Sequence, residues 1–418
     1  MFKLFERKNN VVKIVDSIMG SNKTTNILKW MDANPDKRYI YVSPLLTEVD
    51  KGGRVHRNLK NVDLEIPSYD GGGTKSDSLL DMLKSGDSIA CTHSLYLSMT
   101  EKHFEVLSAN DYTVIIDEEV NVIDGFDKYS KNDLKWLLEK GDISISEEDG
   151  MVSWVGDRGH IIDNHKYRSF LQYCDSKSLY STKRSETMMC THLPIKLFDC
   201  AKEVIILTYM FKGNILDCFL KLKGFEVQEF DSIECENIGK EKVKGLLTVV
   251  PPNKKLMQHS LSTTWFAEAN SKDLNEVTNY IRNTCKVYGM TKDDVVWTVP
   301  KFRAVKVGNS SKNLIRPMGY SQNSDKETNW LAAQTRATND YYDKKMMVHC
   351  YNRRPLVAVS SYLQDYGHPV DLKVFATSEI LQWAWRGCIR DGKPMVLAIG
   401  SKRMYEYFID WLERDCDL

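Results

Sequence analysis

Val11-Val12-Lys13-Ile14-Val15 runs into Asp16-Ser17-Ile18-Met19-Gly20-Ser21-Asn22-Lys23-Thr24-Thr25, and a helical pattern follows from Thr24 to Met31. A β-branched apolar run, a tight turn, Lys-Thr and then a helix is the setting a phosphate-binding loop requires. In such a loop, backbone N–H groups and a helix N-terminus face phosphate oxygens. Gly20, Ser21, Asn22, Lys23, Thr24 and Thr25 are the candidate nucleotide-binding residues. Lys23 would neutralise the outer phosphates, and the Thr24 hydroxyl would ligate Mg2+. The strict pattern G-x-x-x-x-G-K-S/T places glycine where this chain has Ser17 and Asn22, and Gly20 fits a looser form. Asparagine enters positive φ more readily than other non-glycine residues, so the loop can still form. The alternative is an ordinary strand-to-helix turn with a surface lysine.

Outward from this loop, short β-branched runs alternate with helical patterns, which predicts an α/β fold with a parallel sheet. The expected strands are 11–15, 38–42, 88–92, 113–117 and 203–208. Thr113-Val114-Ile115-Ile116-Asp117-Glu118-Glu119 is an almost continuous apolar run ending in carboxylates. Such a run implies burial on both faces. A carboxylate at a strand tip beside a phosphate loop can hold Mg2+, and a second can orient water. Asp117 takes the metal role here and Glu118 the base role, with Glu119 expected as an exposed neighbour or interdomain contact. The less regular stretch of about 125–193 is expected to be an insertion.

After Phe230 the pattern restarts, with strands expected at 245–250, 294–299, 346–350 and 395–399 and a helix over 273–288. That divides the chain into 1–238 and 239–418. A helix is predicted over Ser378–Arg390, and on it Gln382, Arg386 and Arg390 would share one face. Two guanidiniums and an amide suit a polyphosphate, since Arg grips phosphate bidentately and keeps its charge. Trp383 and Trp385 are expected to pack, as are His349 and Cys350 on their strand.

Composition narrows the function classes. The chain has 418 residues, with Lys+Arg 57 and Asp+Glu 57, so its formal net charge is zero. That excludes a polybasic nucleic-acid coater but permits a local basic track. No apolar run approaches the ~18 residues of a membrane span. The start has no secretory pattern. The ten cysteines form no C-x-x-C pair, and scattered thiols suit a reducing cytoplasm. No zinc site is expected at His165 or His192. Gly71-Gly72-Gly73-Thr74-Lys75-Ser76 lacks a preceding apolar strand and is expected to be a flexible loop.

The three segments, in this order, resemble the superfamily 2 helicases of the DEAD/DEAH-box-like group, in the compact form found in bacteriophages. Tyr41-Val42-Ser43-Pro44-Leu45 is similar to that group's Ia motif, and Cys91-Thr92-His93-Ser94-Leu95 falls where a Ib motif lies. Leu207-Thr208-Tyr209-Met210-Phe211 resembles motif III, Val296-Trp297-Thr298-Val299 motif IV, and Gln334-Thr335-Arg336-Ala337-Thr338-Asn339 motif V. The arginine segment has one residue more between its arginines than the usual Q-x-x-G-R-x-x-R, and Trp385 stands where that pattern has glycine.

The resemblance implies two tandem RecA-like domains of P-loop NTPase type, with ATP between them and Mg2+ on Thr24 and Asp117. Lys23, Asp117, Glu118, Gln382, Arg386 and Arg390 are then the catalytic set. Ser43, Pro44, Thr92, His93, Thr338 and Asn339 are then the nucleic-acid contacts, made mainly to backbone and so with little sequence preference. DNA is the expected substrate, replication proteins are possible partners, and a cytoplasmic site is expected, in the host if phage-encoded. Lys51, Arg54, Arg57 and Lys60 suit either a backbone-binding loop or a solvated charged segment. Asn22 favours a different class, a helicase-fold protein that binds nucleic acid or a replication partner without productive hydrolysis. A packaging motor is a third class, without the downstream carboxylate cluster its nuclease needs.

Overall fold

The computed structural model describes residues 9–69, 73–158, 165–236, 240–305, 313–319, 328–335 and 340–414. The chain forms two compact units. The first gathers the described residues of Met1–Ser17, Asn22–Cys235 and Pro355–Asp371, and the second those of Ile18–Ser21, Glu236–Arg354 and Leu372–Leu418.

In the first unit, strands β1 (Val11–Asp16), β2 (Arg38–Ser43), β3 (Ile89–Thr92) and β4 (Tyr112–Asp117) are laid down early. An excursion through β5 (Ile123–Phe126), β6 (Ile143–Ile145), β7 (Val152–Trp154), β8 (Leu179–Thr182) and β9 (Ser185–His192) follows. The chain then returns with β10 (Glu203–Thr208) and β11 (Glu226–Glu229). The main sheet has the order β11-β1-β10-β4-β2-β3, and every pairing is parallel. Its carboxyl ends therefore share one edge, where open α/β sheets bind ligands. All six residues of β4 are buried, as its unbroken apolar run predicts for a central strand. The helix Lys23–Asp32 buries Ile27, Leu28 and Met31 against this sheet, with Tyr39, Ile115 and Ile205 in the same core.

The excursion builds a three-stranded antiparallel sheet, β5-β9-β8, and a β6-β7 pair. Helices Lys131–Lys140 and Arg168–Asp175 pack on it around Phe126, Leu134, Leu137 and Phe170. A later helix, Val357–Asp365, also belongs to this unit. The Tyr362 hydroxyl donates to the Asp149 carbonyl at 2.7 Å, and Arg184 pairs with Asp365 at 2.6 Å. The Asp371 N–H donates to the Gly213 carbonyl at 2.9 Å. Nothing in residues 355–371 announces this placement, because an amphipathic helix does not encode which sheet it covers.

The second unit holds β12 (Leu247–Val250), β13 (Val295–Thr298), β14 (Met346–His349) and β15 (Met395–Ile399), in the parallel order β12-β15-β14-β13. Leu274, Val277 and Ile281 line the buried face of the helix Ser271–Val287, as their spacing predicts.

The arginine segment departs from expectation. The helix there is Leu372–Ala384 and stops well short of Arg390. Gly387 is extended at φ −82, ψ −174, and a 3-10 turn, Cys388–Asp391, follows. The Cys388 N–H donates to the Lys344 carbonyl at 3.0 Å, which draws the chain out of the helix. A Cβ at Gly387 would lie 2.6 Å from the Met395 sulfur, so the glycine permits that close approach. Gln382 thus sits in the last helical turn, Arg386 is buried beyond it, and Arg390 is exposed on the 3-10 turn. They share no helix face. Trp383, Trp385, His349 and Cys350 are buried, as expected.

Candidate nucleotide site

The site is built at the carboxyl ends of β1, β4 and β10. The Ser17 N–H donates to the Thr208 carbonyl at 3.1 Å, and Asp16 Oδ2 accepts from the Phe211 N–H at 3.0 Å. These bonds tie the start of the loop to the turn after β10. The loop itself needs left-handed backbone at two places, Gly20 (φ 86) and Asn22 (φ 63, ψ 20). Asn22 adopts the conformation that its side chain tolerates and most others resist. The helix then starts at Lys23, with the Asn26 N–H donating to the Asn22 carbonyl at 2.9 Å and no acidic residue in the first turn. Ser21 is buried and Thr25 half-buried.

Lys23 turns back and donates to the Ser17 carbonyl. Desolvation draws its ammonium down to about 8, while Asp117, Asp16 and Glu118 pull it upward. A desolvated ammonium among carboxylates suits an anion that brings its own counter-cation.

Asp117 is the hub. Its carboxylate accepts from the Thr24 hydroxyl at 3.0 and 3.3 Å and from the Tyr41 hydroxyl at 2.7 Å. Arg54 NH2 lies 3.8 Å away and is anchored on Glu48 at 2.6 Å. Burial raises the Asp117 carboxyl above its ordinary value and Glu118 adds to this, while Tyr41, Arg54 and Thr24 oppose it. Burial also holds the Tyr41 phenol well above the usual range, with Asp117 contributing. His93 Nε2 sits 2.9 Å from the Asp117 carbonyl.

Glu118 has φ 65, a left-handed backbone at a residue that gains nothing from it locally. Strain of this kind is kept where surrounding structure fixes it, and it clusters at functional sites. Glu119 corrects an expectation. It is buried, and Oε1 accepts from the Thr208 hydroxyl at 2.5 Å, so it joins β4 to β10 instead of facing solvent.

The expected nucleic-acid residues fall in different settings. Ser43 is buried at the end of β2, and its hydroxyl accepts from the Leu45 N–H at 3.4 Å. Pro44 and Thr92 are half-buried, with Thr92 capping a short helix through the Leu95 N–H at 3.3 Å. Thr338 and Asn339 lie outside the described residues, as do residues 70–72 of the glycine-rich loop. The contacts of Tyr41 and Arg54 with Asp117, and of Glu119 with Thr208, escaped sequence reasoning. Tyr41 could have been found from the alternation of β2, which puts it on the same face as Tyr39, but nothing local marks Arg54.

In the second unit, Arg353 and Glu379 form a buried ion pair at 2.8 Å, and Arg403 donates to Asn352 Oδ1 at 2.8 Å. These groups stand just beyond the carboxyl ends of β14 and β15.

Residues 241–412 match a family described as the YonV C-terminal Rossmann-like domain. The SPbeta prophage-derived uncharacterized protein YonV of Bacillus subtilis strain 168 is 29% identical over 425 residues, covering 96% of this chain and 98% of its own. Two solved structures, XPD_APO and XPD_Helicase, superpose with TM-scores of 0.53 and 0.54 at 12% and 11% identity. Each alignment covers 97% of this chain, and 96% and 95% of theirs. The chain thus has a mixed α/β fold with parallel sheets and helicase structural neighbours, consistent with tandem RecA-like domains.

Proposed function

We propose that this chain is an ATP-dependent nucleic-acid helicase or translocase, acting on DNA in phage-type replication or recombination. The observation that carries the reading is the meeting of the Thr24 hydroxyl with the Asp117 carboxylate at 3.0 Å. A threonine hydroxyl and a carboxylate are the hard oxygen donors that Mg2+ takes. Magnesium, when bound, supplies charge neutralisation at phosphate oxygens. The chain's own residues do the rest. Backbone N–H groups of 20–25 and Lys23 bind and orient the phosphates of ATP. Glu118 orients a water and takes its proton. Tyr41 and Arg54 hold Asp117 in place. Arg386 and Arg390 are proposed to supply positive charge to ATP, and Gln382 to assist. The helicase-like fold and the prophage origin of the relative support the nucleic-acid and phage parts. Ser43, Pro44, Thr92, His93, Thr338 and Asn339 remain the proposed backbone contacts.

No helix among the described residues is long and apolar enough to cross a membrane, and a cytoplasmic site is part of the proposal. The second reading, binding without productive hydrolysis, is favoured by one observation: Gln382, Arg386 and Arg390 share no helix face. An ATPase assay across single-stranded, duplex and forked DNA and RNA tests both. Hydrolysis stimulated by one of them supports the motor, and binding with no hydrolysis supports the alternative.

A further inference from the structure

The insertion carries a column of aromatic rings that the nucleotide site does not use. Most ring pairs around Phe170 are edge-to-face, the usual packing of an apolar core: Phe126 at 68°, Tyr129 at 82° and Trp154 at 71°. One line of rings differs. Tyr129 stacks on Tyr167 at 5.7 Å and 27°, and Tyr167 stacks on Trp136 at 5.8 Å and 15°. The middle ring, Tyr167, is 7% exposed, and the ring at one end, Trp136, is 47% exposed.

The inner rings are pinned. The Tyr129 hydroxyl donates to the Lys166 carbonyl at 2.9 Å, and the Tyr167 hydroxyl donates to Asp133 Oδ1 at 3.1 Å. Lys140 Nζ lies over the Trp136 ring, 4.9 Å from its centre, and Lys166 Nζ lies 5.2 Å from the centre of the Tyr167 ring. Lys140 is braced by Asp142 at 3.1 Å and Lys166 by Asp133. Lys131 and Arg168 are exposed on the same two helices.

We propose that Trp136 is a stacking platform for a base of single-stranded nucleic acid, with Lys140 and Lys166 receiving the flanking phosphates. A flat, pre-set π-face beside cations is how proteins hold single strands without reading sequence. A base that displaces Lys140 from the Trp136 ring extends the column by one more ring, and its phosphates compete with Asp142 and Asp133 for the ammonium groups. A duplex hides its base faces and gains only the charge contacts. This surface lies on the insertion, apart from the nucleotide site, and rests on the reading of the chain as a nucleic-acid motor.

The test is the anisotropy of a labelled oligothymidine titrated with the full chain. Trp136→Ala and Trp136→Leu should each weaken binding about tenfold or more, and Trp136→Phe should stay within about threefold of wild type, since it keeps a π-face. Binding to a blunt duplex should change about twofold or less in all three variants, and each should remain folded at the assay temperature by circular dichroism, although loss of the Trp136 stack on Tyr167 lowers the melting temperature. Single-strand binding within about twofold of wild type in Trp136→Ala overturns the platform while leaving the motor reading intact. Equal retention in the Leu and Phe variants also overturns it, because apolar bulk and not stacking would then matter. Failure of the wild-type chain to bind any single strand overturns both readings together.

Discussion

The Thr24 hydroxyl donates to both oxygens of the Asp117 carboxylate, at 3.0 and 3.3 Å. One residue opens the helix after β1 and the other ends β4, with β10 between the two strands in the sheet. The contact therefore depends on the parallel register, which pairs Asp16 with Thr208 and Leu207 with Asp117. It makes the loop and the carboxylate one site, and it shows what Asn22 must achieve by entering left-handed backbone: delivery of Thr24 to Asp117.

Asn22→Gly should leave stability within about 1 kcal/mol and change ATP affinity little, because asparagine already adopts the required φ. Asn22→Val should cost about 1–2 kcal/mol or more, since a β-branched residue resists that region. Urea unfolding and nucleotide titration check both. A large gain of affinity in Asn22→Gly would mean that asparagine distorts the loop.

Glu203 gives a pH-dependent prediction at the other end of the same sheet. It pairs with Lys13 at 2.7 Å and Lys37 at 3.2 Å, beside a cleft of about 780 Å³ lined also by Thr113 and Lys202. Burial pushes its carboxyl up, but the two lysines outweigh this and leave it below its ordinary value of 4.5. A carboxyl lowered on folding adds stability that is complete above its unfolded value and is lost as pH falls through the folded one. Glu203→Gln should therefore lower stability by about 1 kcal/mol at neutral pH. The gap between wild type and variant should close as pH drops below 4.5. Urea midpoints at pH 7 and below pH 4 measure it, and a constant gap would remove the lysine pairing as its cause.

The scaffold of this site was legible because its signals are local. Apolar runs such as Val114-Ile115-Ile116 have the length and content of buried strands, and Lys23-Thr24 follows one of them. Three things were not legible. Arg54 follows a local turn at Gly53, where a Cβ would meet the Glu48 carbonyl at 2.4 Å, but its partner Asp117 is distant in sequence and only the fold brings them together. Glu119 was expected as an exposed neighbour or interdomain contact, and it is not exposed, because a carboxylate after a strand carries no sign of a buried partner such as Thr208. The arginine segment was misjudged because helical spacing continued past the point where Gly387 leaves the helix.

The helix Val357–Asp365 sits with the insertion in the first unit, although the residues before 355 and after 371 belong to the second. Arg184 holds it by Nε and NH2 on Asp365 Oδ1, at 2.9 and 2.6 Å, and by NH2 on Gln364 at 3.2 Å. Arg184→Ala should raise amide hydrogen exchange in 357–365 several-fold, with little effect on global stability. Exchange at β4 should not change. Unaltered exchange in 357–365 would mean that Tyr362 and the apolar contacts alone hold the helix.

The central claim is that Lys23, Asp117 and Glu118 hydrolyse ATP. The most direct measurement compares ATP binding and Mg2+-dependent turnover in wild type, Lys23→Ala and Glu118→Gln. Glu118→Gln should bind ATP within a few-fold of wild type while turnover falls at least about 100-fold, the loss expected for a general base. Lys23→Ala should lose both binding and turnover. Wild-type turnover in either variant would contradict the account.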